Sequence, residues 1–181
     1  VTSDPEIVRA AARVVLPGAG AFPACRAALD AVPGMVDALR EAVQERAVPF
    51  MGICVGMQML AEASEENMMT DDSEGQLIDC LGIVPGRIRL MEVGNLRLPH
   101  MGWNQIEHDE THPLLKGIQS GSYFYFVHSY ALEVTDATLA TCDYGQPFTA
   151  IVGRDNFFGA QFHPERSGSA GARLLQNFLE L

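Results

Sequence analysis

The chain has 181 residues, 12 Lys and Arg against 23 Asp and Glu for a formal net charge of −11, and a hydrophobic fraction of 48%. That is chain enough for one domain with a sizeable core, and the composition excludes intrinsic disorder. Its longest apolar runs, 49–55 and 123–127, are far below the roughly 20 residues that span a bilayer, and scattered basic residues in an acidic chain exclude a nucleic-acid partner.

The front half alternates strands and helices. Arg13-Val14-Val15-Leu16 predicts a short strand, stopped by Pro17-Gly18-Ala19-Gly20. Residues 24–46 are Ala-rich with helical spacing (Met35, Val36, Leu39, Val43), and Pro33-Gly34 splits them into two helices. A buried strand over 49–53 and a helix carrying Val55, Met59 and Leu60 follow, fading into an acidic loop over 64–74. Strand, turn and helix with near-continuous apolar strands predict a parallel sheet covered on both faces. From 81 to 162 the pattern changes to short strands (88–91, 103–107, 123–127, 148–152, 157–162), before a last helix over 170–179. The expected fold is a single α/β domain over 1–181: a three-layer, flavodoxin-like sandwich with a mostly parallel central sheet, and extra antiparallel strands in the second half.

The four cysteines (Cys25, Cys54, Cys80, Cys142) lie far apart without zinc-site spacing, which predicts reduced thiols in a cytoplasmic protein and no metal. Gly52-Ile53-Cys54-Val55-Gly56 is the sharpest local signal. In a G-x-C-x-G at a strand-to-helix junction, small flanking residues permit a strained turn that lifts the thiol above the sheet. There the helix N-terminus favours thiolate, and the N–H of Val55 faces a developing oxyanion. The same pentapeptide also suits a buried structural cysteine. A thiol nucleophile needs a base, and the base needs an acceptor to orient it. His163-Pro164-Glu165, at the end of the strand 157–162, supplies both. Elsewhere, His108 and His112 have metal-pair spacing, but Asp109-Glu110 and Pro113 argue for a loop. His128 ends the aromatic strand Tyr123-Phe124-Tyr125-Phe126-Val127 and is either a rim residue or part of a ligand site, while the lone Trp103 suits either core or interface.

Pro17-Gly18-Ala19-Gly20-Ala21-Phe22, Gly52-Ile53-Cys54-Val55-Gly56-Met57-Gln58, Pro99-His100-Met101-Gly102-Trp103-Asn104, Tyr125-Phe126-Val127-His128-Ser129-Tyr130 and Gln161-Phe162-His163-Pro164-Glu165 together resemble the class I (triad) glutamine amidotransferases, and within that class the glutaminase subunits of imidazole glycerol phosphate synthases. The resemblance runs over essentially the whole chain. It implies Cys54 as nucleophile, His163 as general base and acid, and Glu165 as the residue orienting His163. It also implies a backbone around Gly18, Gly20, Gly52 and Val55 that holds the oxyanion, and Gln58, His128, Ser129 and Tyr130 holding glutamine. Trp103, Asn104, Tyr125 and Arg166 would lie at a partner interface or gate. Glutamine would be hydrolysed through a Cys thioester with no cofactor or metal. The ammonia would pass to a (β/α)8-barrel cyclase in a heterodimer of histidine biosynthesis, giving imidazole glycerol phosphate and an aminoimidazole carboxamide ribotide.

Three departures from the family pattern stand out. Family members open with a strand carrying an Asp-Tyr-Gly-x-Gly-Asn-like segment, then a helix and a second strand, whereas this sequence opens at Val1-Thr2-Ser3-Asp4-Pro5, so the sheet is expected to lack that unit. Ala19 stands where Val is usual, and Arg166 where Lys usually follows the Glu. Two alternatives stay open: another triad amidotransferase or cysteine hydrolase of the same fold, and a non-catalytic regulatory subunit, which a thiol-reactive glutamine analogue would separate.

Overall fold

The computed structural model describes residues 1–66, 77–109 and 111–181. Most of the expected acidic loop over 64–74, and Glu110 of the His108–His112 segment, lie outside them.

Helix α1 (Pro5–Ala10) opens the chain, with Asp4 accepting the Glu6 N–H as its cap and Pro5 in the first turn. Arg9 pairs with Glu6 within the helix and ties the helix to Glu41. Strand β1 (Val14–Gly18) leads into α2 (Phe22–Asp30) and α3 (Met35–Arg40), which continues as a π-type turn over Glu41–Glu45. The break falls at Pro33-Gly34 as expected, Gly34 adopting φ 78°. Strand β2 (Phe50–Cys54) has a parallel neighbour on each side and is buried at all five positions, as a central strand of a sheet covered on both faces is.

Helix α4 (Val55–Gln58) is shorter than expected. Tertiary hydrogen bonds end it: the carbonyls of Met59 and Leu60, which a longer helix would use, accept instead from the amides of Leu81, Ile83 and Val84. Both side chains are nevertheless buried.

Beyond α4 come β3 (Ala63–Ser64), β4 (Ile78–Asp79), β5 (Arg87–Leu90), β6 (His100–Gln105), β7 (Tyr123–His128), β8 (Tyr130–Leu132), β9 (Thr138–Asp143), β10 (Pro147–Arg154), β11 (Phe157–Ala160) and α5 (Gly168–Glu180). The five-stranded sheet has the order β1-β2-β11-β10-β9. The first three strands run parallel, and β10 and β9 add the antiparallel extension. A second sheet has the order β4-β3-β5-β8, and β6 and β7 form an antiparallel ribbon bridged to β9 through Glu107 and Thr141.

Register positions the site. Gly18 pairs with Cys54 across β1 and β2, and Ala160 with Ile53 across β2 and β11. The parallel strands therefore deliver the 18–20 loop, Cys54 and the segment following Ala160 to one edge of the sheet, where open α/β sheets present ligand sites.

The buried apolar residues form one cluster, with Phe22, Phe50, Phe124, Phe126, Phe148, Phe162 and Phe178 its largest side chains. Alternation along β7 sends Phe124 and Phe126 inward, and on β6 leaves Met101 and Trp103 63% and 55% exposed. Among the described residues no helix is long and apolar enough to cross a membrane.

Candidate active site

Cys54 sits between β2 and α4 with φ 52° and ψ −111°. A non-glycine residue held there stores roughly 1–3 kcal/mol and persists only where its surroundings over-determine it. Two glycines do so. A Cβ at Gly52 would stand 2.3 Å from the Gly56 carbonyl oxygen, and one at Gly56 would stand 1.9 Å from that of Leu16 on β1. The turn thus closes on itself and seats on β1, for which the G-x-C-x-G spacing is required. Gly18 backs the same turn, its Cβ position being 2.9 Å from the Gly56 nitrogen and from Val55.

The sulfur is buried, and desolvation pushes the Cys54 thiol up to about 11, against the Val55 N–H that favours the thiolate. Cys25, Glu165 and Glu66 push it further up. A helix of only four residues does not offset this, so the resting thiol is protonated at neutral pH. Here the structure departs from the expected dipole-stabilised thiolate.

His163 opens a single 3-10 turn, Pro164–Arg166, which folds Glu165 back onto the ring. His163 Nδ1 donates to Glu165 Oε1 at 2.9 Å, leaving Nε2 as the basic nitrogen; it is buried and has no hydrogen-bond partner among the described residues. The backbone is stitched to β7. His163 N–H donates to the Tyr125 carbonyl at 2.9 Å, the Ser167 hydroxyl to the His163 carbonyl at 2.6 Å, and Tyr125 N–H to Ser167 Oγ at 3.0 Å.

Cys54 and His163 line one cleft of about 680 Å³ with Val55, Gln58, His128, Ser129, Tyr130, Glu165, Arg166 and the Ala19-Gly20-Ala21 loop, where Gly20 takes φ 109°. A buried thiol on a strained turn and a carboxylate-oriented imidazole in one cleft are an arrangement for nucleophilic attack on an acyl carbon. A model of the class-I glutamine amidotransferase family matches residues 2–181.

The chain belongs to that family.

It is 48% identical over 182 residues to the imidazole glycerol phosphate synthase subunit HisH of Vibrio cholerae, spanning 100% of this chain and 85% of that protein. Against the HisH subunit of Ruegeria pomeroyi it is 48% identical over 181 residues, spanning 99% of this chain and 82% of the other. In fold it is similar to a crystal structure of a glutamine amidotransferase, with a TM-score of 0.69 at 19% identity over 99% of this chain and 83% of that one. The glutaminase domain of Trypanosoma brucei CTPS is a further neighbour, with a TM-score of 0.63 at 14% identity over 97% and 74% of the two chains.

Two of the expected oxyanion residues of this class-I amidotransferase do not line the cleft: Gly18 and Gly52 pack behind the turn. Trp103, Asn104 and Tyr125, expected at an interface or gate, lie on the β6–β7 ribbon outside the cleft. The Trp103 ring meets Tyr125 edge-on at 6.1 Å, and the Arg166 guanidinium lies 5.6 Å from the Tyr125 ring centre, so Arg166 links the cleft to the ribbon. The His128 ring turns away into a buried contact with His100, both rings held uncharged by burial at about 3 and about 4. His112 accepts the Leu114 N–H at the start of a turn, as a loop residue. Two residues escaped the sequence reading. Glu66 lines the cleft half-buried, its carboxyl raised by desolvation, and had been absorbed into an acidic loop. Gln161 is part of the Gln161–Glu165 segment but has no role assigned from sequence; it lies fully buried with Nε2 3.8 Å from Cys54 Sγ.

Proposed function

We propose that this chain is the glutaminase subunit of an imidazole glycerol phosphate synthase, a cytoplasmic enzyme that hydrolyses glutamine and passes the ammonia to a (β/α)8-barrel cyclase. The observation that carries the reading is one cleft holding both a thiol on a strained turn and an imidazole whose Nδ1 is engaged by Glu165 while Nε2 is unpartnered among the described residues. The near-full-length similarity to HisH subunits supports it.

Because burial keeps the resting thiol protonated, proton transfer must accompany attack. His163 Nε2 takes the proton as Cys54 Sγ adds to the side-chain carboxamide carbon of glutamine, and Glu165 steadies the imidazolium that forms. The N–H of Val55 and the amides of the Ala19–Gly20 loop receive the oxyanion. When the C–N bond breaks, the imidazolium returns its proton to the leaving nitrogen, and ammonia departs from a γ-glutamyl thioester. His163 then deprotonates a water that attacks the thioester, and glutamate leaves as Cys54 regains its proton. The Glu66 carboxylate and Gln58 Oε1, which has no partner among the described residues, face the α-ammonium, and the backbone of Ser129 and Tyr130 lines the rest of the substrate. No cofactor or metal enters these steps.

The outward side of the β6–β7 ribbon, with Met101, Trp103 and Tyr123 more than half exposed, is the docking face for the cyclase, and Asn104, Tyr125 and Arg166 border it. In the cyclase the ammonia meets a phosphoribulosyl formimino intermediate. The test is glutamate release by this chain alone, then with a barrel cyclase and its nucleotide ligand, with Cys54→Ala as control. Release that rises with the cyclase and vanishes in Cys54→Ala is the expected result. Equal release without the cyclase would favour a different amidotransferase, and silence throughout would favour a regulatory subunit.

A further inference from the structure

Hydrogen bonds link the β6–β7 ribbon to the thiol through the Tyr130 carbonyl, which accepts from both sides. Asn104 Oδ1 accepts the Gln105 N–H at 2.8 Å while its Nδ2 donates to the Asp143 carbonyl at 2.9 Å, which orients that amide. The second Nδ2 hydrogen faces His100 Nε2 at 3.3 Å, so this nitrogen is the acceptor. His100 Nδ1 then donates to His128 Nε2 at 3.3 Å, and His128 Nδ1 to the Tyr130 carbonyl at 3.0 Å. A carbonyl only accepts. Its other lone pair takes Gln58 Nε2 at 3.0 Å, and the second hydrogen of that nitrogen goes to Gln161 Oε1 at 3.1 Å. Gln161 must therefore turn its NH2 group toward Cys54 Sγ, 3.8 Å away, because the reverse orientation would set two donors against each other.

We propose that Gln161 is a further catalytic residue: its Nε2–H, locked in the donor orientation by Gln58 and the Tyr130 carbonyl, supports the Cys54 sulfur while it is anionic. The proposal rests on the glutaminase reading of the site. A neutral thiol accepts weakly, whereas a thiolate makes a charge-assisted bond, so the contact gains strength only as the proton leaves. Gln161 is fully buried and cannot exchange this bond for one to water. Around the sulfur stand Cys25 on α2, Glu66 after β3, and Glu165 and His163 in the segment after β11. The carboxylates and the second thiol oppose the anion, which leaves Gln161 and the Val55 N–H as the fixed donors at the sulfur among the described residues.

The test is the rate at which iodoacetamide alkylates Cys54 in the full chain between about pH 6 and about pH 10, followed by mass spectrometry on the Cys54 peptide so that Cys25 is not counted. Gln161→Met removes the donor at similar volume, and the milder Gln161→Asn withdraws it by one methylene. Alkylation should slow about tenfold at a given pH, while thermal melts confirm folding. A folded variant of either kind that alkylates at the wild-type rate across this range overturns the proposal. Alkylation requires no glutamine turnover. A chain whose thiol depends on Gln161 but which releases no glutamate would thus sustain the sulfur contact while refuting the glutaminase reading.

Discussion

The α-hydrogen of Gly56 points at the backbone of Leu16, where a methyl carbon would stand 1.9 Å from the carbonyl oxygen. A strand backbone does not yield as a flexible side chain does. Gly56→Ala must lift the turn after Cys54 off β1, at the upper end of the roughly 1–3 kcal/mol that overpacking costs. The melting temperature should fall by about 2–4 °C for each kcal/mol, and glutamine hydrolysis should fall with it. An alanine variant with wild-type melting and activity would show that the turn does not depend on this contact.

Cys54→Ala and Cys54→Gly should both lose glutamine hydrolysis, but their stabilities should run against the usual order. Alanine retains the strain of φ 52° and glycine releases it. After glycine's greater unfolded-state entropy is subtracted, the glycine variant should be the more stable by about 1 kcal/mol. Urea denaturation of the two proteins measures this, and a more stable alanine variant would mean that the turn stores no strain.

Glu66→Gln should raise the KM for glutamine about tenfold with little change in kcat, the pattern of an interaction made equally in ground and transition states. Burial raises the Glu66 carboxyl above the ordinary carboxylate range. As pH falls, wild-type KM should therefore begin to climb at a higher pH than an exposed carboxylate would allow. Steady-state kinetics across the acid range should show that climb in the wild type and not in the variant.

The buried imidazole pair makes stability pH-dependent in a defined direction. His100 at about 4 and His128 at about 3 lie below the value near 6.5 of the unfolded chain. Below about pH 6.5 the unfolded chain binds more protons than the folded one. The stabilisation is complete above that pH and is lost as pH falls toward 4, by up to about 1.4 kcal/mol per pH unit for each ring. His128→Gln should flatten this acid limb in denaturant titrations, and an equally steep limb would assign the loss to other groups.

What the sequence made legible was local. Alternation in Tyr123-Phe124-Tyr125-Phe126 marks β7 and its buried side, and Gly52 and Gly56 mark the strained turn because no other residue fits. What it hid depends on distant pairing. The length of α4 is decided by amides more than twenty positions on, at Leu81 and Val84. The His100–His128 contact exists because register sets those two residues opposite each other, and Gln161 meets Cys54 only through parallel pairing of β2 and β11. β9 is not marked in the sequence because Thr138-Leu139-Ala140-Thr141-Cys142 lacks a clean polar–apolar alternation, and several of its positions are only half-buried.

Trp103, the single tryptophan of the chain, stands 55% exposed on the outward side of β6, away from the packed phenylalanines. The protein consequently carries a native optical label where a docked subunit would sit. Its emission should be red-shifted and readily quenched by iodide in the free chain, and should move to the blue as that face is covered. By the same token the indole is a poor witness to unfolding, since it changes surroundings little when the core dissolves. Tryptophan fluorescence would therefore track association, and circular dichroism the integrity of the fold.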